Sequence, residues 1–267
     1  MAMSCVIINT MHPILIRLGP LTIHAYGFLI AVGFLVGLWL ALVQAKKEGI
    51  SSDRIVDLGF YILLAAIVGS RLLFILVNLD HYIQKPADIF KIWEGGLVFY
   101  GGVLLAVPTA LWYVRKNAMD IWNTADIFAP SIAISHVFGR IGCFMAGCCY
   151  GKIAQSLPWG MIFTDPDCLA PTNVLLHPTQ IYESAGELVN FLILLTLRPY
   201  KSFNGQIAMI YLLLYSLLRF SVEFFRGDVG RGFLIGDLSV SQGISIVMFF
   251  AAVAGLLLLW KKKKQKI

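Results

Sequence analysis

The segment His136-Val-Phe-Gly-Arg-Ile-Gly-Cys-Phe-Met-Ala-Gly-Cys-Cys-Tyr-Gly151 lies between two apolar stretches, and its composition points to the class of fold. It combines one arginine and one histidine with three cysteines and four glycines. Glycines permit positive φ, so the sequence predicts that a continuous helix is broken here. Such a break at membrane depth persists only where protein or water satisfies the backbone. Arg140 cannot lose its charge, so the segment predicts an anion-binding site inside a membrane protein.

The composition of the whole chain supports this class. Of the 267 residues, 58% are hydrophobic and 13% are charged, against about 25% charged residues in an average soluble domain. The mean hydropathy is +0.79. We therefore expect an all-α polytopic membrane protein that forms a single integral-membrane domain over residues 1–267. The net charge of +6 is concentrated in short loops and in the lysine run at 261–266. Such a run is typical of a topology anchor touching anionic lipid, so no nucleic-acid partner is expected.

The apolar segments predict about seven transmembrane helices, since a span needs about 20 apolar residues. They cover approximately residues 21–45, 57–79, the stretch from the glycine-rich run 95–102 to 113, 121–138, 178–197, 205–225 and 238–260. The fourth is short and interrupted by Pro130. Residues 152–177 are more polar and rich in turn residues, which predicts a small extracytoplasmic subdomain.

The distribution of lysine and arginine predicts the orientation. Twelve of these residues fall in the loops and tail of one side and seven on the other side. Cytoplasmic loops carry the excess, so the C-terminus is predicted in the cytoplasm and the N-terminus outside.

Four polar clusters then lie toward the outer face. Tyr26 begins the first span, and Tyr100 lies on the glycine-rich run 95–102, which we expect to be flexible. Arg140 lies in the opening segment. The sixth span ends in Arg219-Phe-Ser-Val-Glu-Phe-Phe-Arg226, which places Arg219 and Glu223 at i and i+4 on one helix face. One interpretation is a structural Arg–Glu–Arg ladder. Because one glutamate cannot neutralise three arginines, the pattern favours an anionic ligand such as a phospholipid phosphate.

The segment His177-Pro-Thr-Gln-Ile-Tyr-Glu183 opens the fifth span. Pro178 suits the first turn of a helix, and the polar side chains suit free N–H donors. Glu183 could also act as an acid or base, but the pattern favours the structural interpretation. His136, alone on an apolar segment, is interpreted as a satisfied buried histidine rather than as a ligand or base.

The cysteines allow three interpretations, in order of preference. Cys143, Cys148 and Cys149 are first interpreted as small buried apolar residues. A disulfide to Cys168 comes second, because the predicted outer face is oxidising. Metal binding by the three cysteines with His136 comes third, since C-x4-C-C is not a standard zinc spacing.

Six segments together resemble one family along the full length of the chain. They are Ile23-His-Ala-Tyr-Gly27, Gly69-Ser-Arg-Leu72, Gly95-Gly-Leu-Val-Phe-Tyr-Gly-Gly102, Gly139-Arg-Ile-Gly142 with Gly151, His177-Pro-Thr-Gln-Ile-Tyr-Glu183 and Arg219-Phe-Ser-Val-Glu-Phe-Phe-Arg226. The chain is similar to the bacterial prolipoprotein diacylglyceryl transferases. The resemblance implies a multi-pass enzyme of the cytoplasmic (inner) membrane with seven spans and no cofactor. Such an enzyme moves the diacylglyceryl group of phosphatidylglycerol to the lipobox cysteine in a prolipoprotein signal peptide, and its partners include other membrane lipids.

The resemblance also implies roles for single residues. Arg140 matches the family's signature arginine, which would hold the phosphatidylglycerol head group, while Arg219 and Glu223 match an essential pair and Tyr26 a conserved tyrosine. The implied catalytic residues are Arg219, Glu223, Tyr26 and Tyr100. The implied substrate-binding residues are Arg140, Gly139, Gly142, Gly151, Arg226 and His177, and no metal ligand is expected.

The chain departs from the family pattern in two places. Tyr100 stands where the family usually has histidine, and tyrosine is a poor base at neutral pH. Cys143 stands where asparagine is usual, and a polar stretch of the family has become Ala-Gly-Cys-Cys at 146–149. Two alternatives follow: a diverged relative that binds phospholipid with weak or no transfer, and a cysteine-based redox or metal protein of the membrane.

Overall fold

The computed structural model describes residues 11–18, 21–91, 95–155, 157–228, 232–235 and 238–264. The helices in these ranges are α1 (Ala25–Lys47), α2 (Ser52–Val77), α3 (Leu79–Gln84), α4 (Phe99–Lys116), α5 (Ile121–Ala146), α6 (Thr179–Leu197), α7 (Gln206–Glu223) and α8 (Val240–Lys264). The short strands are β1 (Ile14–Leu18), β2 (Leu21–His24), β3 (Met161–Ile162), β4 (Leu175–Leu176), β5 (Phe233–Ile235) and β6 (Leu238–Ser239), paired antiparallel as β1–β2, β3–β4 and β5–β6. Lys266, the last lysine of the run at 261–266, lies outside the described residues.

Five of the described helices, α1, α2, α5, α7 and α8, are long and apolar enough to cross a membrane. They expose large apolar side chains such as Leu35, Trp39 and Val247, each more than 60% accessible. Helices that expose apolar side chains so widely suit a lipid surrounding. The prediction of a mostly helical membrane protein is confirmed. Helices α4 and α6 coincide with the third and fifth predicted spans but are not among the five, so the count of seven stays a prediction.

Helix α5 corrects two predictions. It runs without interruption from Ile121 to Ala146, through Pro130, Gly139 and Gly142. The predicted break at Pro130 and the predicted loss of helix over residues 136–146 are therefore wrong. In an apolar environment no water can hydrogen-bond a backbone group that leaves the helix. The helix therefore continues through proline and glycine residues that would end a helix in water. The break comes at Gly147, where φ is +71°.

Contacts between Cα atoms divide the chain into two compact units, residues 1–40 with 125–267 and residues 41–124. In the first unit, glycines let α1 approach α5. A Cβ added to Gly37 would lie 2.3 Å from the Ser135 Oγ. The Ser135 hydroxyl donates a hydrogen bond of 2.8 Å to the carbonyl of Gly33. Small residues four apart are a common means of close packing in membranes, where no hydrophobic drive brings helices together.

The loop between α5 and α6 has a small apolar cluster of its own. The side chains of Met161, Phe163 and Leu176 are buried together with Phe144 of α5, and the Phe163 side chain is 1% exposed. Strands β3 and β4 pair within this loop. Residues 152–177 thus contain ordered structure, while their predicted position on the outer side of a membrane stays a prediction.

In the second unit, α2 packs closely on α4. A Cβ on Gly101 would lie 2.3 Å from the carbonyl oxygen of Gly69. Arg71 of α2 donates hydrogen bonds to the carbonyls of Asp88 at 2.6 Å and Gly95 at 2.9 Å. This buried arginine holds the loop that precedes α4, since a guanidinium offers five donors and carbonyl groups need partners.

The glycine-rich run 95–102 is only partly what the sequence predicted. Gly95 and Gly96 have positive φ, but residues from Phe99 onward belong to α4. Tyr100 therefore stands in the first turn of a helix, half exposed, and the prediction that it lies on a flexible run is wrong. The adjacent glycine, Gly101, serves packing against α2 rather than flexibility.

Candidate functional site

A buried carboxylate lies between three arginines of the first unit. Glu183, in the second turn of α6, is 3% exposed. Its Oε2 lies 2.5 Å from the Nε of Arg140 on α5. Its Oε1 lies 3.2 Å from the Nη1 of Arg219 on α7 and 3.9 Å from the Nη1 of Arg226. Glu183 therefore connects α5, α6 and the end of α7.

Each of the other two arginines also has a carboxylate close to it in the sequence. Arg219 Nη1 lies 2.6 Å from the Glu223 Oε2, an ion pair at i and i+4. Arg226 forms a bidentate pair with Asp228, at 2.8 Å from Nε and 2.5 Å from Nη2. Burial tends to lower the pKa of Arg226, but the hydrogen bonds and charge of Asp228 outweigh it and raise that pKa. Arg226 stays charged.

These pairs overturn the prediction of surplus positive charge. Among the residues that the structure describes, these three arginines face three carboxylates, Glu183, Glu223 and Asp228, which balance them in formal charge. Arg140, interpreted as an unpaired cation, is paired with Glu183 through Nε. Two of these carboxylates are absent from the charge count made on the sequence, because Glu183 is interpreted there as part of helix initiation and Asp228 is not considered. An anion bound here would therefore be recognised by donor geometry rather than by excess charge.

A second group of polar side chains continues from this cluster along α6 and α7. Glu187 lies one turn beyond Glu183 and is 2% exposed. Tyr211 donates a hydrogen bond to Glu187 at 3.4 Å, and its hydroxyl lies 3.1 Å from the Nδ1 of His136. His136 thus has a polar partner, as predicted, but its side chain is 36% exposed, so the prediction that it is buried is wrong. A narrow cavity is lined by His136, Arg140, Glu183, Glu187, Tyr215, Leu218 and Arg219.

Tyr26 and Gly142 lie in contact where α1 begins. A Cβ added to Gly142 would stand 3.3 Å from both the ring and the carbonyl oxygen of Tyr26. Gly142 therefore admits the Tyr26 side chain close to the backbone of α5. A Cβ added to Gly139, one turn earlier, would have no neighbouring atom within 4 Å.

Gly151 joins three segments of backbone. Its N–H donates to the carbonyl of His177 at 3.0 Å, and it forms an antiparallel bridge with Arg226. A Cβ there would lie 2.5 Å from the backbone oxygen of His177, so only glycine fits. The His177 ring lies against Phe225, and its Nδ1 is 3.4 Å from the hydroxyl of Tyr182. Gly151 and His177 thus hold the backbone that positions Arg226.

The structure brings together one part of the predicted site. Arg140, Arg219, Glu223 and Arg226 form one cluster, with Gly151 and His177 in the backbone beside Arg226. Tyr100 belongs to the other compact unit, residues 41–124.

Four residues of this region were missed or undervalued by the sequence interpretation: Glu183, Glu187, Tyr211 and Asp228. A signal existed for two of them. Glu183 and Glu187 are four apart in an apolar helix, and acidic side chains in such a helix face the protein interior. For Tyr211 and Asp228 the sequence carries no comparable signal.

The cysteine cluster, defined as Cys143, Cys148 and Cys149, lies at the end of α5. The three Sγ atoms lie within 4.8 Å of one another. The four cysteines that the structure describes are free thiols, so the disulfide to Cys168 is not formed.

The described part of the chain defines a polytopic helical membrane protein with buried arginine–carboxylate pairs between its helices. A profile of the family described as prolipoprotein diacylglyceryl transferase matches residues 13–258. A Clostridium tetani protein named phosphatidylglycerol–prolipoprotein diacylglyceryl transferase is 38% identical over 236 residues, 88% of this chain and 93% of that protein. A Geobacillus kaustophilus protein of the same name is 33% identical, over 97% of this chain and 95% of its own length. The chain belongs to the prolipoprotein diacylglyceryl transferase family.

Proposed function

We propose that this chain transfers the diacylglyceryl group of phosphatidylglycerol to the lipobox cysteine of prolipoproteins, the first step of bacterial lipoprotein maturation. Family membership over residues 13–258 supports the proposal. The relatives from Clostridium tetani and Geobacillus kaustophilus carry both substrates in their names. The structural observation that supports the proposed chemistry is the Arg140–Glu183–Arg219 arrangement beside a narrow cavity.

The reaction exchanges one bond for another at a glycerol carbon. The sulfur of the lipobox cysteine attacks the carbon that bears the phosphate, forming a thioether. The carbon–oxygen bond breaks, and glycerol phosphate leaves with its electron pair. The thiol proton passes to an acceptor in the site. The enzyme must therefore stabilise charge that grows on the leaving phosphate and accept one proton.

Arg140 is proposed to hold the phosphate. In the part of the chain that the structure describes, its carboxylate contact is made through Nε. This contact orients the guanidinium, and in the proposal the two Nη groups face the phosphate. Two parallel N–H donors match a phosphate in the bidentate way that favours arginine over lysine. Glu183 thus acts as the residue that positions Arg140.

The remaining predicted residues receive supporting roles in the proposal. Arg219 and Glu223 act as the pair that stabilises the transition state, with Tyr26 beside Gly142 at the start of α1. Tyr100 positions the phospholipid through its hydroxyl. The other proposed substrate-binding residues shape the backbone around the arginines; they are Gly139, Gly142, Gly151, Arg226 and His177.

The proposal includes the finer topology. Helices α4 and α6 complete seven spans with the five long apolar helices. The N-terminus is outside the cytoplasmic membrane, the C-terminus is in the cytoplasm, and residues 152–177 are extracytoplasmic. The lysines that end α8 agree with that orientation because cytoplasmic flanks are rich in lysine.

Complementation tests the proposal directly. The chain is expressed in a bacterium depleted of its own transferase, and a reporter lipoprotein is analysed by mass spectrometry. We expect growth and a reporter that carries diacylglycerol on its cysteine, with Arg140→Ala as the control of strongly reduced activity. The presence of Tyr100 where the family usually has histidine favours one alternative, a phospholipid-binding relative. An unmodified reporter in cells that contain the inserted chain would overturn the proposal of transfer.

A further inference from the structure

The backbone at the end of α5 brings the sulfurs of the cysteine cluster together. The N–H of Cys148 donates to the carbonyl of Cys143 at 3.1 Å, and the N–H of Gly147 donates to that of Phe144 at 3.2 Å. With Gly147 at φ +71° this is a Schellman motif, which places the residue after the glycine over the residue five positions earlier. Cys143 and Cys148 occupy those two positions. A C-x4-C-C sequence with glycine before the second cysteine therefore specifies the contact locally.

Cys149 is brought in by a second unusual backbone angle. Its φ is +59°, in the left-handed region that residues with a Cβ rarely adopt. Two side chains of α6 hold this backbone in place: Thr179 donates to the carbonyl of Cys149 at 2.7 Å, and Gln180 donates to the carbonyl of Cys148 at 2.7 Å. The third thiol is thus directed toward the other two by contacts outside its own segment.

From this geometry we propose that Cys143, Cys148 and Cys149 bind one soft, thiophilic cation of the Cu⁺ and Zn²⁺ class as three thiolates. The three sulfurs already lie within 4.8 Å of one another. Three sulfurs at about 2.3 Å from a central ion form a triangle with edges of about 4 Å. Closing the cluster onto an ion therefore requires sulfur movements of less than about 1 Å. Three thiolates complete a trigonal shell for Cu⁺ and leave one position of Zn²⁺ open to water.

The charges of Arg226 and Arg140 act on Cys149 and favour negative charge at the cluster. A complex of three thiolates with Cu⁺ or Zn²⁺ is anionic, and the same arginines stabilise it. Binding releases the thiol protons to solvent, so affinity rises with pH.

The cluster is connected to the arginine cluster through α6. Thr179 and Gln180, which bond the cysteine carbonyls, begin the helix that carries Glu183 one turn later. A bound ion fixes the backbone of 148–149 and with it the start of α6. Occupancy is therefore expected to stabilise the folded protein as well as to fill the site.

The experiment uses the full chain, purified in detergent and reduced. It is incubated separately with Zn²⁺, with Cu⁺ and with Mg²⁺ as a hard-cation control, then desalted, and the metal content is measured. We expect about one soft ion per chain, no retained Mg²⁺, and a higher apparent unfolding temperature with the ion. Cd²⁺, used as a third soft cation, should give sulfur-to-metal charge-transfer absorption, which carboxylate or histidine sites would not produce.

Cys149→Ser and Cys148→Ser should each abolish retention of the ion, the charge-transfer band and the thermal shift. Cys168→Ser is the matched control, a single thiol removed outside the cluster, and should retain all three. Equal binding in wild type and Cys149→Ser overturns the proposal in favour of an adventitious ion. Absence of retained metal, with a disulfide between Cys148 and Cys149 found by peptide mass spectrometry, overturns it in favour of a redox pair. Because metal content is measured without substrate, neither outcome depends on the transferase activity.

Discussion

Replacing Glu183 by glutamine isolates what the buried carboxylate does. The substitution keeps size and removes the charge that contacts Arg140 at 2.5 Å, Arg219 at 3.2 Å and Arg226 at 3.9 Å. Breaking a buried pair by removing one partner costs about 3–5 kcal/mol. The side chain of Arg140 is 23% exposed, so partial solvation keeps the cost near the lower end, ~3 kcal/mol. The glutamine amide also places its own N–H donors next to the N–H donors of the arginines, and two donors cannot form a hydrogen bond.

The expected loss of activity is larger than that stability loss explains. Arg140 and Arg219 would lose the carboxylate that fixes their orientation. Removing one preorganised donor from a charged transition state lowers turnover about 10²–10³-fold, and Glu183→Gln should fall in that range. The rate is measured with a lipobox peptide and labelled phosphatidylglycerol in lipid nanodiscs, and it is divided by the folded fraction from size-exclusion chromatography.

Glu187→Gln is the matched control. Glu187 lies one turn further along α6, is equally buried, and contacts His136 and Tyr211 rather than an arginine. We expect it to lower the unfolding temperature in a similar way and to change the rate less than tenfold, about 1.4 kcal/mol at most. A Glu183→Gln protein with the wild-type rate per folded molecule would refute the positioning role of Glu183.

Four further predictions concern other residues of the chain. Arg140→Ala should lower transfer about 10²–10³-fold and Arg140→Lys should lower it less, because lysine keeps charge but loses the two-pronged donor edge; an active alanine variant in the nanodisc assay would exclude phosphate binding by this residue. Serine at all three positions of the cysteine cluster should leave transfer detectable in the same assay, and complete loss in a folded variant would give the thiols a role in the reaction. If the Tyr100 hydroxyl positions the lipid, Tyr100→Phe should lower the transfer rate, and Tyr100→His should raise it little between about pH 6 and 9. A large rise in the rate of the histidine variant would show instead that the chain lacks a base. Gly37→Leu should destabilise the protein by about 1–3 kcal/mol in thermal unfolding, because its Cβ would meet a serine oxygen of α5 at 2.3 Å. Gly27→Leu should not, because a Cβ added there has no neighbouring atom within 4 Å.

The class of fold followed from the sequence because membrane helices are specified locally. Each span satisfies its own backbone hydrogen bonds and exposes apolar side chains to lipid, so hydropathy over about 20 residues is sufficient. The predicted spans at 21–45, 57–79 and 238–260 correspond closely to α1, α2 and α8. The Arg219–Glu223 pair was equally local, since both residues lie on one helix face four positions apart.

The contacts between helices could not be derived in this way. Whether Arg140 is unpaired depends on which face of α6 turns toward α5, and the sequence contains no period that relates the two helices. The same limit explains why α5 was expected to break at Pro130 and Gly139, since local propensity takes no account of the partners that hold a membrane helix straight.

The cysteine cluster stands between these two cases. The contact of Cys143 with Cys148 is specified locally by Gly147, because a glycine at this position ends the helix with the hydrogen bonds that place Cys148 over Cys143. The direction of Cys149 depends in addition on Thr179 and Gln180 of another helix. A sequence records propensities and spacings along one chain, whereas side chains from distant segments meet only after the helices have packed, so the chemistry at their meeting points is decided by tertiary structure.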